Sequence, residues 1–110
     1  MGTAKTEEFT IKDNKIAKYA KALGHPARIA ILRLLVKKEA CVCGDIVDEL
    51  PLSQSTVSQH LKELKEVGLI KGDITGQSVC YCIDEKAWAE AKEYLGVLFE
   101  SFTNKKNCCK

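Results

Sequence analysis

Apolar residues recur along this chain at helical spacing in some stretches and at alternating spacing in others. Ile16, Tyr19, Ala20 and Leu23 fall at i, i+3, i+4 and i+7, which predicts a helix from about Asp13 to Leu23, stopped at Gly24. His25-Pro26 opens a second helix, with Pro26 at the first position, where no amide hydrogen bond is lost. Ile29, Leu32, Leu35 and Val36 give it a buried face, and Lys37-Lys38 suit its C-terminal dipole. Ala40-Cys41-Val42-Cys43 is short and β-prone, so it reads as extended. Gly44 to Leu50 can form a short helix packing Ile46, Val47 and Leu50, broken by Pro51-Leu52.

Ser53 is a good N-cap for the next helix, which carries Val57, Leu61 and Leu64 at i, i+4 and i+7 and ends at Gly68. Two strands follow, Leu69 to Lys71 and Ser78 to Ile83, joined by a longer turn from Gly72 to Gly76. Asp84 caps a last helix with a wide apolar stripe of Trp88, Ala91, Leu95, Leu98, Phe99 and Phe102. The tail from Asn104 to Lys110 is polar and is expected to be mobile without a ligand.

A short helix, a tight turn and a polar-faced helix make a helix-turn-helix, and the hairpin after it makes a wing. The predicted fold is mainly α with a small β-hairpin: a winged helix-turn-helix of five helices plus wing. It forms one domain over residues 1–110. The first and last helices are more apolar than one small core requires, which assigns them to a homodimer interface. Trp88 is expected in that dimer core.

Composition agrees. The 110 residues are 45% hydrophobic and 29% charged, which fits one globular domain. No apolar run approaches the roughly 20 residues of a membrane span. The polar start, Met1 to Lys15, lacks a signal-peptide core, so a cytoplasmic protein with no membrane partner is expected. Residues 1–40 hold nine Lys/Arg against four Asp/Glu, while residues 41–52 hold three acids and no base. A basic first half is compatible with nucleic acid, though it also describes an ordinary solvated surface. The six cysteines form three tight pairs: Cys41/Cys43, Cys80/Cys82 and Cys108/Cys109. In a reducing compartment such pairs point to metal or redox chemistry rather than structural bridges.

Three segments together carry a resemblance: Leu23 to Leu32 (LGHPARIAIL), Leu52 to Leu64 (LSQSTVSQHLKEL) and Gly68-Leu69-Ile70. In these the chain resembles the ArsR/SmtB family of metal-responsive winged-helix repressors, from about residue 15 to about residue 100. The resemblance implies a homodimer that represses transcription and leaves double-stranded operator DNA on binding a metal or metalloid ion. Cys41-Val42-Cys43 looks like the metal-binding motif of the arsenic-, antimony-, cadmium- and lead-responsive members. Where one arsenic-sensing branch has a third cysteine, this chain has Val47. The cadmium/lead branch draws cysteines from an N-terminal arm, and residues 1–40 hold none. The zinc branch uses histidine on the last helix, and residues 84–110 hold none.

Gln54, Ser55, Thr56, Ser58, Gln59, His60 and Lys62 are the candidate DNA-reading residues. Short amide and hydroxyl side chains let a helix lie deep in the major groove and pair with base edges. The plain alternative is a solvated helix face. Lys62, Lys65, Lys71, Thr75 and Gln77 are candidates for phosphate contact. Cys41 and Cys43 are the candidate metal ligands, since an extended C-x-C puts both sulfurs on one side; otherwise they are small buried hydrophobes. Cys108 and Cys109, beside Lys106 and Lys110, are candidates to complete a three- or four-sulfur site; otherwise they are an incidental tail. Cys80 and Cys82 alternate with Val79, Tyr81 and Ile83 and read as strand residues on the outer face, with a second thiol site as the alternative.

The expected inducer is arsenite or antimonite, because soft thiolates select thiophilic ions and trivalent arsenic, by family analogy, prefers three. Cadmium, lead or zinc, or thiol oxidation, is the alternative within regulation. A thiol enzyme or metal chaperone is the alternative outside it, disfavoured by the lack of C-x-x-C, of a catalytic Cys-His-Asp order and of a phosphate loop.

Overall fold

Helix α1 spans Ile11–Ala22 because the Thr10 hydroxyl accepts the backbone N–H of Asp13 at 3.0 Å. It starts two residues before Asp13, the start that periodicity alone suggests: Thr10 takes the cap and Asp13 becomes a first-turn acid. The computed structural model describes residues 8–38, 41–43, 50–75 and 78–103, with backbone alone at 43, 73–75, 78 and 79. Helix α2 spans Pro26–Lys38. His25 caps it with its ring, Nδ1 accepting the Ala27 N–H at 3.0 Å.

Helix α3 spans Gln54–Glu66, and the Ser53 hydroxyl accepts the Thr56 N–H at its start. It ends in a Schellman turn: Leu69 N–H bonds the Leu64 carbonyl, Gly68 N–H bonds that of Lys65, and Gly68 has φ +90°. Strands β2 (Ile70–Thr75) and β3 (Ser78–Ile83) form the wing. Helix α4 spans Glu85–Glu100, with the Asp84 carboxylate accepting the N–H groups of Lys86 and Ala87.

The hairpin differs from the expected one. Ladder pairing continues to Thr75 opposite Ser78, so Gly72 to Thr75 are strand rather than turn. Gly72 serves close approach: a Cβ there would lie 2.8 Å from Tyr81 Cε1. The extended segment expected at 40–43 is a strand, β1 (Val42–Cys43), and it pairs antiparallel with β3. The sheet therefore has three strands in the order β1-β3-β2.

Among the described residues there are four helices. The fifth, expected at Gly44 to Leu50, lies outside the described residues except Leu50 itself. The core joins α1, α2, α3 and the start of β2 through Tyr19, Ile31, Leu35, Leu64, Leu69 and Ile70, all 2% exposed or less, and α4 joins it through Ala91. Helices α1 and α4 pack together, and Glu90 of α4 accepts from Lys15 Nζ at 2.8 Å and from the Tyr19 hydroxyl. Trp88 and Leu95 are half-buried against this core, so the predicted dimer stripe is only partly free. Its far end is free: Phe99 is 72% exposed and Phe102 75%, beside exposed Val97 and Leu98. Among the described residues, no helix is long and apolar enough to cross a membrane.

Candidate nucleic-acid interface and thiol cluster

The two faces of α3 are chemically distinct. Val57, His60, Leu61 and Leu64 are buried, while Gln54, Ser55, Ser58, Gln59 and Lys62 line one open, shallow depression on the outside. The first turn of α3 holds no acid, which leaves its dipole end unopposed toward a phosphate. Thr56 is half-buried and exchanges hydrogen bonds with Ser53 at the cap. Lys62, Lys65 and Lys71 are exposed. The Thr75 side chain and Gln77 lie outside the described residues.

His60, expected among the base-reading residues, does not face outward. Only 8% of it is exposed. It sits at the i+3 position from Val57, on the same stripe as Leu61 and Leu64, so helical periodicity turns it into the protein. There its Nδ1 accepts from Arg28 Nε at 3.1 Å, and its ring centroid lies 4.4 Å from that of His25. Burial lowers its pKa first, with the nearby His25 and the Arg28 cation acting in the same sense.

Arg28 is the hub that orients α3. Its second arm bonds the Glu63 carboxylate, and Nη1 donates to the Lys21 and Ala22 carbonyls at the C-terminal end of α1. One side chain thus ties α1, α2 and α3 together. Glu63 also accepts from Gln59 Nε2 at 3.0 Å. That bond, followed by the Arg28 charge, holds the Glu63 carboxyl below its usual range and steers the Gln59 side chain.

The cysteines converge where the sequence left them open. The β1–β3 register sets Val42 opposite Tyr81 and Cys43 opposite Cys80. One residue further on, Cys41 is disulfide-bonded to Cys82 across a Cα separation of 4.2 Å. Residues directly opposite share a face, as do alternate residues of one strand, so positions 41, 43, 80 and 82 lie on one face of the sheet. The other face of β3 packs Tyr81 and Ile83 on the core, as alternation predicts.

Cys80, expected on an outer surface, is only 9% exposed, because β1 lies along that edge of β3. Cys41 and Cys82 line a cleft of about 500 Å³ with Leu35, Val36, Lys71, Ile83, Glu85 and Trp88. Cys108 and Cys109 lie outside the described residues. The matched C-x-C spacing at 41–43 and 80–82 was the available signal for this pairing.

Residues 25–71 match the family described as bacterial regulatory protein, arsR family. An uncharacterised HTH-type transcriptional regulator of Methanocaldococcus jannaschii is 40% identical over 77 residues, covering 68% of this chain and 85% of that protein. The HTH-type transcriptional repressor SmtB of Mycobacterium tuberculosis is 44% identical over 61 residues. That match covers 56% of this chain and 44% of the repressor, so it spans under half of that relative. Among solved structures, HlyU from Vibrio cholerae superposes with a TM-score of 0.66 at 27% identity, over 86% of this chain and 98% of that one. The chain belongs to the arsR family of bacterial regulatory proteins: it is a winged helix-turn-helix, DNA-binding transcriptional repressor and not an enzyme.

Proposed function

We propose that the protein binds a two-fold operator as a homodimer and leaves it when trivalent arsenic or antimony binds cysteine thiolates centred on Cys41 and Cys43. The reading of DNA falls to Gln54, Ser55, Ser58, Gln59 and Lys62, supported by their common exposure on one face of a capped helix held from behind by Arg28. Dimerisation uses α1 and α4, supported by the exposed run of Val97, Leu98, Phe99 and Phe102.

The observation that carries the sensing is the convergence of Cys41-Val42-Cys43 on the wing strand. An ion held there acts on the segment leading into the helix-turn-helix and on the wing at once, so it shifts the recognition helices from their half-site spacing. Allosteric coupling of this kind is typically about 1–3 kcal/mol. The thiolate that closes the site comes from the wing pair Cys80/Cys82 or from the tail pair Cys108/Cys109. The direct reach of Cys82 to Cys41 favours the wing.

The test is release of a fluorescent operator duplex, selected by the protein from a random pool, read by anisotropy in reducing buffer. Arsenite and antimonite are expected to release it. Cys41→Ser and Cys43→Ser are expected to bind DNA and ignore arsenite. Release by cadmium, lead or zinc alone would replace the arsenic reading with a divalent-ion one. Comparing Cys80→Ser/Cys82→Ser with Cys108→Ser/Cys109→Ser identifies the closing sulfur.

A further inference from the structure

Cys41 is exposed and Cys82 is half-buried at the cleft wall, so an oxidant reaches Cys41 first. The two stand opposite each other where the β1–β3 register continues, and their sulfurs are joined. Lys71 is the register partner of Cys82 on the other side of β3 and lines the same cleft, where its ammonium favours a thiolate. Glu85, also on the cleft, opposes it. A repressor works where DNA is, and thiols in such compartments are kept reduced by glutathione and thioredoxin. A disulfide there is a transient state rather than a permanent brace.

We propose that Cys41 and Cys82 are a reversible oxidation site, at which a peroxide closes the disulfide between the segment entering the helix-turn-helix and the wing. The proposal rests on the reading that these sulfurs are free thiolates when the protein senses a soft ion, and it adds a second control over the same site. The Cys41 thiolate attacks the peroxide O–O bond, giving a sulfenic acid at Cys41 and one water. The Cys82 thiol then attacks that sulfur, the S–S bond forms and a second water leaves. Two thiols and one peroxide become one disulfide and two waters, with the sulfurs oxidised by two electrons in total. A dithiol reductant reverses the step by exchange. Sulfurs in a disulfide are not available as thiolates, so oxidation closes the ion site.

The experiment uses the full chain, reduced and then treated with stoichiometric hydrogen peroxide. Free thiols are blocked and peptides mapped under non-reducing conditions. In parallel, Cd(II) is titrated as a soft-ion probe and followed by thiolate-to-metal absorption. A peptide pair joining Cys41 to Cys82 is expected after peroxide, and it should vanish with dithiothreitol. The Cd(II) absorption is expected to be lost on oxidation and restored on reduction. The same link is expected in Cys108→Ser/Cys109→Ser. Absence of the link, a link from Cys41 to the tail instead, or undiminished Cd(II) uptake by the linked protein overturns the proposal. If the reduced chain takes up neither Cd(II) nor arsenite, thiolate sensing fails, and the peptide map alone still decides the oxidation site.

Discussion

The guanidinium of Arg28, on α2, donates from Nε to the Nδ1 of His60, on α3, at 3.1 Å. A nitrogen that accepts this bond carries no proton, so His60 is neutral, with its hydrogen on Nε2. Protonating it would set a second cation against Arg28 inside the helix junction, which accords with the lowered pKa.

The consequence for stability has a definite sign. In the unfolded chain His60 returns to its ordinary value near 6.5. Below that pH the unfolded chain takes up a proton that the folded protein refuses, so stability falls as pH drops toward the lower folded value. Above it the contribution is fully present. Thermal unfolding of His60→Gln is expected to show a flatter dependence between pH 7 and pH 5 than the parent protein. Parallel curves for the two would remove His60 as the titrating group.

Arg28→Met keeps the bulk of the side chain and removes its donors. It leaves Nδ1 of His60 buried without a partner, which costs about 1–3 kcal/mol. It also frees α3 from α1 and α2, beside a cleft that Arg28 lines with Gln59 and Lys62, so operator affinity should fall. Urea titration reads the first effect and anisotropy the second. Unchanged operator affinity in a destabilised variant would limit Arg28 to folding.

Ser58→Ala and Gln59→Ala are expected to weaken operator binding by about 1–3 kcal/mol where each reads a base. Lys62→Ala should act differently. A phosphate contact contributes to affinity on all sequences, so its loss should reduce the salt dependence by about one per protomer and leave sequence preference intact. His60→Gln should change preference little, because the ring faces inward.

Phe99→Glu and Phe102→Glu place charges on the exposed end of α4. Burying such an aromatic side chain contributes about 1.5–3 kcal/mol, and a carboxylate there forfeits it and adds desolvation. Sedimentation at micromolar concentration should show a monomer for the double variant and a dimer for the parent. A dimer in both would move the interface elsewhere.

The parts of the fold that local chemistry dictates were legible in the sequence: Pro26 opening α2, Ser53 and Asp84 capping α3 and α4, and Gly68 closing α3. Thr10 was missed because Thr10 and Asp13 are both able to cap, and only the three-dimensional start of the helix separates them. His60 was legible in principle: Val57, His60, Leu61 and Leu64 form an i, i+3, i+4, i+7 stripe, but its polarity drew it to the DNA side. The pairing of β1 with β3 was not legible, since a two-residue strand meeting a partner about forty residues later leaves no local pattern. The matched cysteine spacing hints at it, yet Cys80 and Cys82 read equally well as ordinary residues of an alternating strand.

The Cys41–Cys82 bond spans a sequence separation of 41 residues, and every residue assigned to reading DNA lies between its ends. When the bond is closed, the reading head is a covalent ring carried by the remainder of the chain. Ring closure of that length removes about 4 kcal/mol of loop entropy from the unfolded chain in the chain-entropy model. A protease cut anywhere within the ring would then leave both fragments joined until a reductant is added. In the oxidised protein the recognition helix and wing stay tethered at both ends when they open, whereas in the reduced protein that tether is gone.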